Sequence, residues 1–131
     1  MLTSILLVQL RINDMKENRL LTLSKEFAKG TIRLYETLQV RGKVSPIINQ
    51  LLRSGTSIGS NVYEANYAQS RADFISKLQI ALKECYETEY WLDIFYDTQV
   101  ITQEEYNFMI DQCNKIRHLL LASVKTAKQT S

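Results

Sequence analysis

Residues Gln50–Ala68, QLLRSGTSIGSNVYEANYA, decide the fold of this chain. The stretch is crowded with small residues, yet its apolar side chains recur at the spacing of a helix interior. Ser45 and Pro46 stand just before it, in the order in which an N-cap and a first helical turn are commonly built. The pattern therefore predicts a helix over residues 46–67.

This helix is predicted to have two unlike faces. One face is apolar and carries two glycines: Ile48, Leu51, Gly55, Ile58, Gly59 and Val62. The opposite face carries a polar stripe: Arg53, Ser57, Asn61 and Glu64. A glycine inside a helix costs about 1 kcal/mol relative to alanine. We therefore expect Gly55 and Gly59 to let a neighbouring helix approach the backbone closely.

Two interpretations of the polar stripe stay open. It is either a solvated helix face held by local pairs, or a hydrogen-bonded cluster at a subunit or partner contact, where polar groups fix the register.

Apolar residues at helical spacing predict three further helices, at residues 16–41, 71–98 and 103–125. Because the connections are short, neighbouring helices should be antiparallel. The predicted fold class is all-α, an antiparallel up-down-up-down four-helix bundle over residues 15–126. Residues 1–14 are expected to be a flexible N-terminal extension, and residues 127–131 a disordered tail.

Local signals mark where these helices start and stop. Gly42 follows the last apolar turn of the first helix, a common stop. Ser70 and Asp73 form a capping pattern at the start of the third helix, and Thr102 and Glu105 form a capping box at the start of the fourth.

Composition limits the class of protein. A chain of 131 residues is a natural single domain, and its four glycines and one proline are too few for an all-β or doubly wound fold. Cys85 and Cys113 lie on apolar stripes of separate helices, which favours buried free thiols over a disulfide. The N-terminal apolar run is too short to span a membrane. We expect a cytoplasmic protein.

Charge is divided along the chain. Residues 1–71 hold ten lysines and arginines against five acidic residues, and residues 72–111 hold two against nine. The remaining residues, 112–131, hold four basic residues and no acidic ones. The split suits head-to-tail association into a closed ring, or binding of an external polyanion to the basic surface.

The first helix carries the most regular basic surface. Lys25, Lys29 and Arg33 follow one another at four-residue spacing, and we call them the basic face. The basic face is open to three interpretations: an ordinary solvated surface, a contact for nucleic-acid phosphates, or a contact for an acidic neighbouring subunit.

The third helix has a second apolar side. Its main stripe faces one way, whereas Ile80, Trp91 and Ile94, with Tyr90 beside them, point the other way. A helix that is apolar on two sides is normally buried on two sides. We therefore predict an oligomer interface at Ile80, Trp91 and Ile94.

The sequence gives little support for a catalytic or metal site. Gly55-Thr-Ser57-Ile-Gly59 matches the G-x-S-x-G pattern of hydrolases, but that pattern needs a sharp strand-to-helix turn, and no strands are predicted here. One histidine, His118, and two distant cysteines offer no cluster of metal ligands. We expect no enzyme activity, no catalytic residues, no metal site and no cofactor.

Residues 50–65, QLLRSGTSIGSNVYEA, and 74–82, FISKLQIAL, resemble the four-helix-bundle proteins of the ribosomal RNA intervening-sequence family. The resemblance spans residues 18–125. The positions that match the family pattern are Arg53, Ser57, Ile58, Asn61, Glu64, Ala81, Leu82 and Glu87. Ala65 and Asn66 depart from it, since a glycine normally follows the glutamate, so the second helix could extend further here.

The resemblance implies a four-helix bundle that assembles as a ring-shaped homopentamer. A related branch, the accessory variability proteins of diversity-generating retroelements, uses a basic pentameric barrel to bind reverse transcriptase and nucleic acid. The expected function is thus a non-enzymatic oligomer that binds RNA or DNA through Lys25, Lys29 and Arg33, as an accessory to a reverse transcriptase. The alternative is an oligomeric protein-interaction scaffold without nucleic-acid binding. No membrane partner is expected.

Overall fold

The structure is a computed structural model that describes the backbone of residues 3–129 and the side chains of residues 4, 7, 15 and 19–129. It contains four helices: α1 (Thr3–Val40), α2 (Pro46–Ala65), α3 (Arg71–Asp97) and α4 (Gln103–Gln129). Residues 3–129 contain no strand. The predicted all-helical fold of four helices is confirmed. No helix in this part of the chain has a stretch long and apolar enough to cross a membrane.

The helices pack in the order in which they follow one another. Each contacts the next, α4 closes the bundle against α1, and the backbones of the diagonal pairs stay apart over the described residues. Gly55 faces Thr31, and Gly59, further along α2, faces the earlier Ser24 of α1. The two helices therefore run antiparallel, as predicted.

The glycines of α2 allow the close approach that the sequence predicts. A Cβ atom added to Gly55 would lie 2.7 Å from Thr31 Oγ1, and one added to Gly59 would lie 3.1 Å from the backbone oxygen of Ser24. Both contacts are shorter than the usual separation of non-bonded atoms. The helix that packs closely against these two glycines is α1.

A continuous apolar core fills the centre of the bundle. Its largest fully buried apolar side chains come from all four helices: Leu20, Phe27, Leu38, Ile58, Leu78, Leu92, Ile116 and Leu120. Cys85 and Cys113 are also buried, as free thiols, with Cys113 Sγ 3.6 Å from the backbone oxygen of Cys85. The expectation of buried thiols without a disulfide is confirmed. The Cys113 thiol and burial together raise the pKa of Cys85.

Most predicted helix ends are present. The Asp73 backbone N–H donates to Ser70 Oγ at 3.1 Å. The Glu105 backbone N–H donates to Thr102 Oγ1 at 3.1 Å, and Glu105 Oε1 accepts from the Thr102 N–H at 2.9 Å. Gly42 has φ 76° just after α1, the left-handed conformation that glycine adopts readily. Ser45 occupies the N-cap of α2, but its side chain makes no capping hydrogen bond.

Helix α1 begins at Thr3 rather than at residue 16. Residues 3–14 therefore continue α1 instead of forming the expected separate extension. The segment contains neither glycine nor proline, the two residues that are least favourable inside a helix. Residues 1 and 2 lie outside the described residues.

Helix α4 continues to Gln129, beyond the predicted residue 125. Ala127, expected in a disordered tail, is buried, and its backbone oxygen accepts a hydrogen bond of 2.9 Å from Arg71 Nη1. This contact ties the last turn of α4 to the start of α3. Residues 130 and 131 lie outside the described residues. Helix α2 ends at Ala65, two residues before the predicted end, so the departure at Ala65 and Asn66 does not lengthen it.

Candidate nucleic-acid interface

The three cations of the basic face lie on the exposed side of α1. Lys29 Nζ lies 3.1 Å from Glu26 Oε1, but both side chains are more than half exposed, so this pair is weak. Lys25 Nζ lies 5.5 Å from the centroid of the Tyr63 ring. Arg33 is exposed and forms no ion pair with another described residue. In the isolated protomer, these three cations are therefore accessible to an anionic ligand.

The polar stripe of α2 turns toward α3. Arg53 Nη1 lies 3.2 Å from Glu84 Oε2, and Arg53 Nη2 contacts Glu87 Oε2. Trp91 Nε1 also donates to Glu87 Oε2, at 3.3 Å. Burial lowers the pKa of Arg53, but the hydrogen bond and charge of Glu87 and the charge of Glu84 outweigh burial, so the net shift is upward. We call Arg53, Glu84, Glu87 and Trp91 the arginine cluster.

A buried hydrogen bond lies beneath the arginine cluster. Thr88 Oγ1, on α3, lies 3.0 Å from Ser54 Oγ, on α2, and also donates to the backbone oxygen of Glu84 at 2.8 Å. Both hydroxyl side chains are fully buried. Because buried polar groups are costly unless paired, this bond specifies how α2 sits against α3.

The rest of the polar stripe makes local contacts at Ser57 and one interhelix contact at Glu64. Asn61 Nδ2 donates to the backbone oxygen of Ser57 at 2.9 Å. Glu64 Oε1 lies 3.6 Å from Lys77 Nζ of α3. The stripe thus joins α2 to α3 at both ends, at Arg53 and at Glu64, rather than serving only as a solvated face with local pairs.

Two further acidic residues of α3 are bound by α4. Arg117 Nε lies 2.8 Å from Glu89 Oε1. The Tyr106 hydroxyl donates to Asp93 Oδ1 at 2.6 Å, and this hydrogen bond raises the pKa of Tyr106 to about 12. When the arginine cluster is included, four carboxylates of α3 have partners in their own chain.

The residues of the predicted oligomer interface differ in exposure. Ile80 is 40% exposed, whereas Trp91 and Ile94 are half-buried and pack against the core. The Trp91 ring stacks on Phe95 with centroids 5.8 Å apart, and Tyr90 meets it edge-on at 5.1 Å. Part of the Trp91 surface is therefore used within the protomer.

Sequence reasoning did not single out Tyr63 and Tyr67. Both rings are exposed near the basic face, with centroids 5.4 Å apart. The signal available in the sequence was a pair of tyrosines four residues apart, which would share one side of a helix. The end of α2 at Ala65 leaves Tyr67 just past the last turn.

The candidate catalytic motif is part of a continuous helix. Residues 55–59 lie inside α2, so Ser57 is not at a strand-to-helix turn. His118 is exposed on α4, and its Nδ1 lies 2.7 Å from the backbone oxygen of Asn114. Among the residues that the structure describes, no three His, Cys, Asp or Glu side chains are grouped to hold a metal ion.

The sequence profile of the 23S rRNA-intervening sequence proteins matches residues 16–122. The chain belongs to this family. It is 47% identical to a protein of unknown function from the S23 ribosomal protein family of Bacteroides thetaiotaomicron, whose crystal structure superposes with a TM-score of 0.82. The match covers 84% of this chain and 98% of the Bacteroides chain. No curated protein matches the sequence.

Family membership confirms the resemblance drawn from the polar stripe and from residues 74–82. In this intervening-sequence protein, the stripe residues Arg53 and Glu64 and the α3 residue Glu87 all take part in contacts between α2 and α3. The signature residues therefore help to hold the bundle together, whatever ligand the protein binds.

Proposed function

We propose that this intervening-sequence protein is a non-enzymatic, oligomeric four-helix bundle that binds RNA or DNA through the basic face. One observation carries the proposal. Lys25, Lys29 and Arg33 are exposed on α1, while acidic residues of α3 that could have neutralised them in a neighbouring subunit are engaged in their own chain.

The spacing of the basic face suits a phosphate backbone. A helix rises about 1.5 Å per residue, so Lys25 and Arg33 are separated by about 12 Å along α1. Phosphates of one strand follow every 3.4 Å or so along a duplex axis, so the basic face spans roughly three to four of them. Three cations in one protomer bind weakly, and repetition of the face in an oligomer would raise the affinity.

We further propose that the oligomer is a homopentameric ring, with Ile80, Trp91 and Ile94 at the subunit contact. The support is the apolar surface that Ile80 and the half-buried Ile94 present on α3. Trp91→Asp should yield monomers by light scattering. Since Trp91 also packs against Phe95, Ile80→Asp is the companion variant that should leave the fold intact. A wild-type monomer, or an oligomer unchanged by both variants, would contradict this interface.

The proposed protein partner is a reverse transcriptase, by analogy with the related accessory variability proteins. The support is the shared family pattern at the polar stripe. A reverse-transcriptase gene beside this one and co-purification of the two products would support the partnership. An rRNA locus as the gene's only context would argue against it.

The nucleic-acid proposal is tested by fluorescence anisotropy with labelled RNA and DNA oligonucleotides at low salt. A triple variant with Lys25, Lys29 and Arg33 changed to Gln should lose most of the binding. The matched control changes Lys43, Lys83 and Lys115 to Gln, which removes the same charge from other exposed positions. The control should bind nearly as well as the wild type.

The scaffold alternative makes the opposite prediction. It is favoured by the apolar surface at Ile80, which could receive a protein partner. If the wild-type oligomer retains neither RNA nor DNA even at low salt, the nucleic-acid proposal is wrong. An equal loss of binding in both triple variants would show that net charge alone matters, and not the basic face.

A further inference from the structure

Two exposed tyrosines lie beside the basic face. Tyr63, in the last turns of α2, is 46% exposed, and Tyr67, just after the helix, is 71% exposed. Their ring centroids are 5.4 Å apart, and the ring planes are tilted by 46°. Lys25 Nζ lies 5.5 Å from the Tyr63 centroid, so a basic-face cation and two aromatic rings share one surface.

Packing does not account for these rings. The apolar core and the partly buried side chains packed against it include Tyr35 and Tyr106, but neither Tyr63 nor Tyr67. An exposed aromatic pair next to cations is the arrangement by which proteins hold unpaired bases and the adjoining phosphates together.

We propose that Tyr63 and Tyr67 are a base-stacking platform, so that the ligand of the basic face is single-stranded nucleic acid. This inference rests on the proposed function and narrows its ligand. In a duplex the bases are already stacked on one another, and only the phosphates are accessible to such a surface. In a single strand each base can leave its neighbours and lie on a tyrosine ring. Because the two rings are tilted, each can receive a different base.

Glu26 and Glu64, which adjoin Lys25 and Tyr63 in the sequence, each lie near a lysine other than Lys25. Glu26 lies 3.1 Å from Lys29 Nζ, and Glu64 lies 3.6 Å from Lys77 Nζ. Lys25, which lies nearest to Tyr63, forms no ion pair with a described residue. An incoming phosphate therefore meets an uncompensated cation over the Tyr63 ring.

The opposite side of the bundle provides a matched control. Tyr86 of α3 is 49% exposed, and the guanidinium carbon of Arg117 lies 5.9 Å from its ring centroid. This pair resembles Lys25 and Tyr63 in geometry, but Arg117 is bound to Glu89 in the acidic part of the chain. The Tyr86 ring should therefore contribute nothing to binding of a polyanion.

The test compares three fluorescent probes of equal length: a mixed-sequence single strand, the corresponding duplex, and a single strand with abasic sites in place of its bases. Each is titrated with the full wild-type chain, with Tyr63→Ala/Tyr67→Ala, and with Tyr86→Ala. Circular dichroism establishes that each variant retains its helices. The abasic probe keeps the phosphates and removes only stacking.

The wild type should bind the single strand more tightly than the duplex or the abasic strand. Loss of one stacking ring weakens binding by roughly 5- to 150-fold, so the double variant should lose at least about tenfold on the single strand. Its affinity for the abasic strand should stay within about twofold of wild type. Tyr86→Ala should bind all three probes like the wild type.

Four results would overturn the inference. If the double variant binds the single strand as the wild type does, or loses as much affinity for the abasic strand, the tyrosines do not stack on bases, while nucleic-acid binding itself stands. If the wild type prefers the duplex, single-stranded nucleic acid is not the ligand. If it binds no probe, the proposed function fails as well.

Discussion

Replacement of Gly55 by alanine tests the helix packing that organises this bundle. The new Cβ would lie 2.7 Å from Thr31 Oγ1 and 2.8 Å from Thr31 Cγ2. Thr31 is fully buried, and its hydroxyl donates to the backbone oxygen of Phe27 at 2.8 Å. Thr31 is β-branched, and both atoms attached to its Cβ would clash with the new methyl group. A change of the Thr31 rotamer would therefore give little relief. Helix α1 must therefore shift away from α2.

The expected cost follows from two opposing effects. Overpacking of a core costs about 1–3 kcal/mol, and the double clash places Gly55→Ala in the upper half of that range. The gain in helix propensity returns about 1 kcal/mol. The free energy of unfolding should therefore fall by about 1–2 kcal/mol. Gly30→Ala is the matched control, because its Cβ would meet only Met109 Sδ at 3.8 Å, and it should raise stability by up to about 1 kcal/mol.

The assay is urea unfolding followed by circular dichroism at one fixed protein concentration, since oligomers unfold in a concentration-dependent way. Thr31→Ala removes both clashing atoms, so the double variant with Gly55→Ala should lose less stability than the two single losses added together. We expect a coupling of about 1 kcal/mol or more. Additive losses, or a Gly55→Ala protein that is more stable than wild type, would refute the close approach of α1 to α2.

Three more predictions concern single residues. Arg53→Met should lower the free energy of unfolding by only about 1 kcal/mol, because half-exposed ion pairs contribute little. It should also change the fluorescence of the single tryptophan, because Trp91 and Arg53 both contact Glu87. Unchanged stability and emission would contradict the arginine cluster. Gln99→Gly should raise Tm by about 2–4 °C, since Gln99 has φ 63° after α3 and glycine adopts this conformation without strain; an equal or lower Tm would count against it. The folded-state pKa of Tyr106 is about 12, above the ordinary 10.0, so the hydrogen bond to Asp93 stabilises the fold fully below pH 10.0 and is lost as the pH rises through about 12. Tyr106→Phe should remove this part of the pH dependence of stability, measured by urea unfolding at alkaline pH. Identical pH profiles for the variant and the wild type would exclude the bond.

The sequence predicted those parts of the fold that depend on local pattern. Ser70 and Thr102 placed two helix starts correctly, because a capping bond involves residues only a few positions apart. Gly55 and Gly59 predicted a close helix contact through their position on the apolar face. The start of α1 at Thr3 and the end of α4 at Gln129 were missed. The last turn of α4 depends on Arg71, which is distant in sequence, and no local signal reports that contact.

The candidate site was only partly predictable. The four-residue spacing of Lys25, Lys29 and Arg33 placed them on one face of a helix. The pairing of Arg53 with Glu84 and Glu87 depends on the register between α2 and α3, which periodicity within each helix does not specify. The approach of Lys25 to Tyr63 likewise depends on how α1 and α2 dock, so the sequence alone could not join the tyrosines to the basic face.

The salt dependence of single-strand binding tests the proposed function most directly. Each phosphate contact contributes about 0.7 to the slope of log K against log salt concentration for single strands. Replacement of Lys25, Lys29 and Arg33 by Gln should therefore make the slope shallower by about 2, whereas the control variant at Lys43, Lys83 and Lys115 should keep the wild-type slope. Equal slopes for all three proteins, or no binding by the wild type at low salt, would contradict nucleic-acid binding by the basic face.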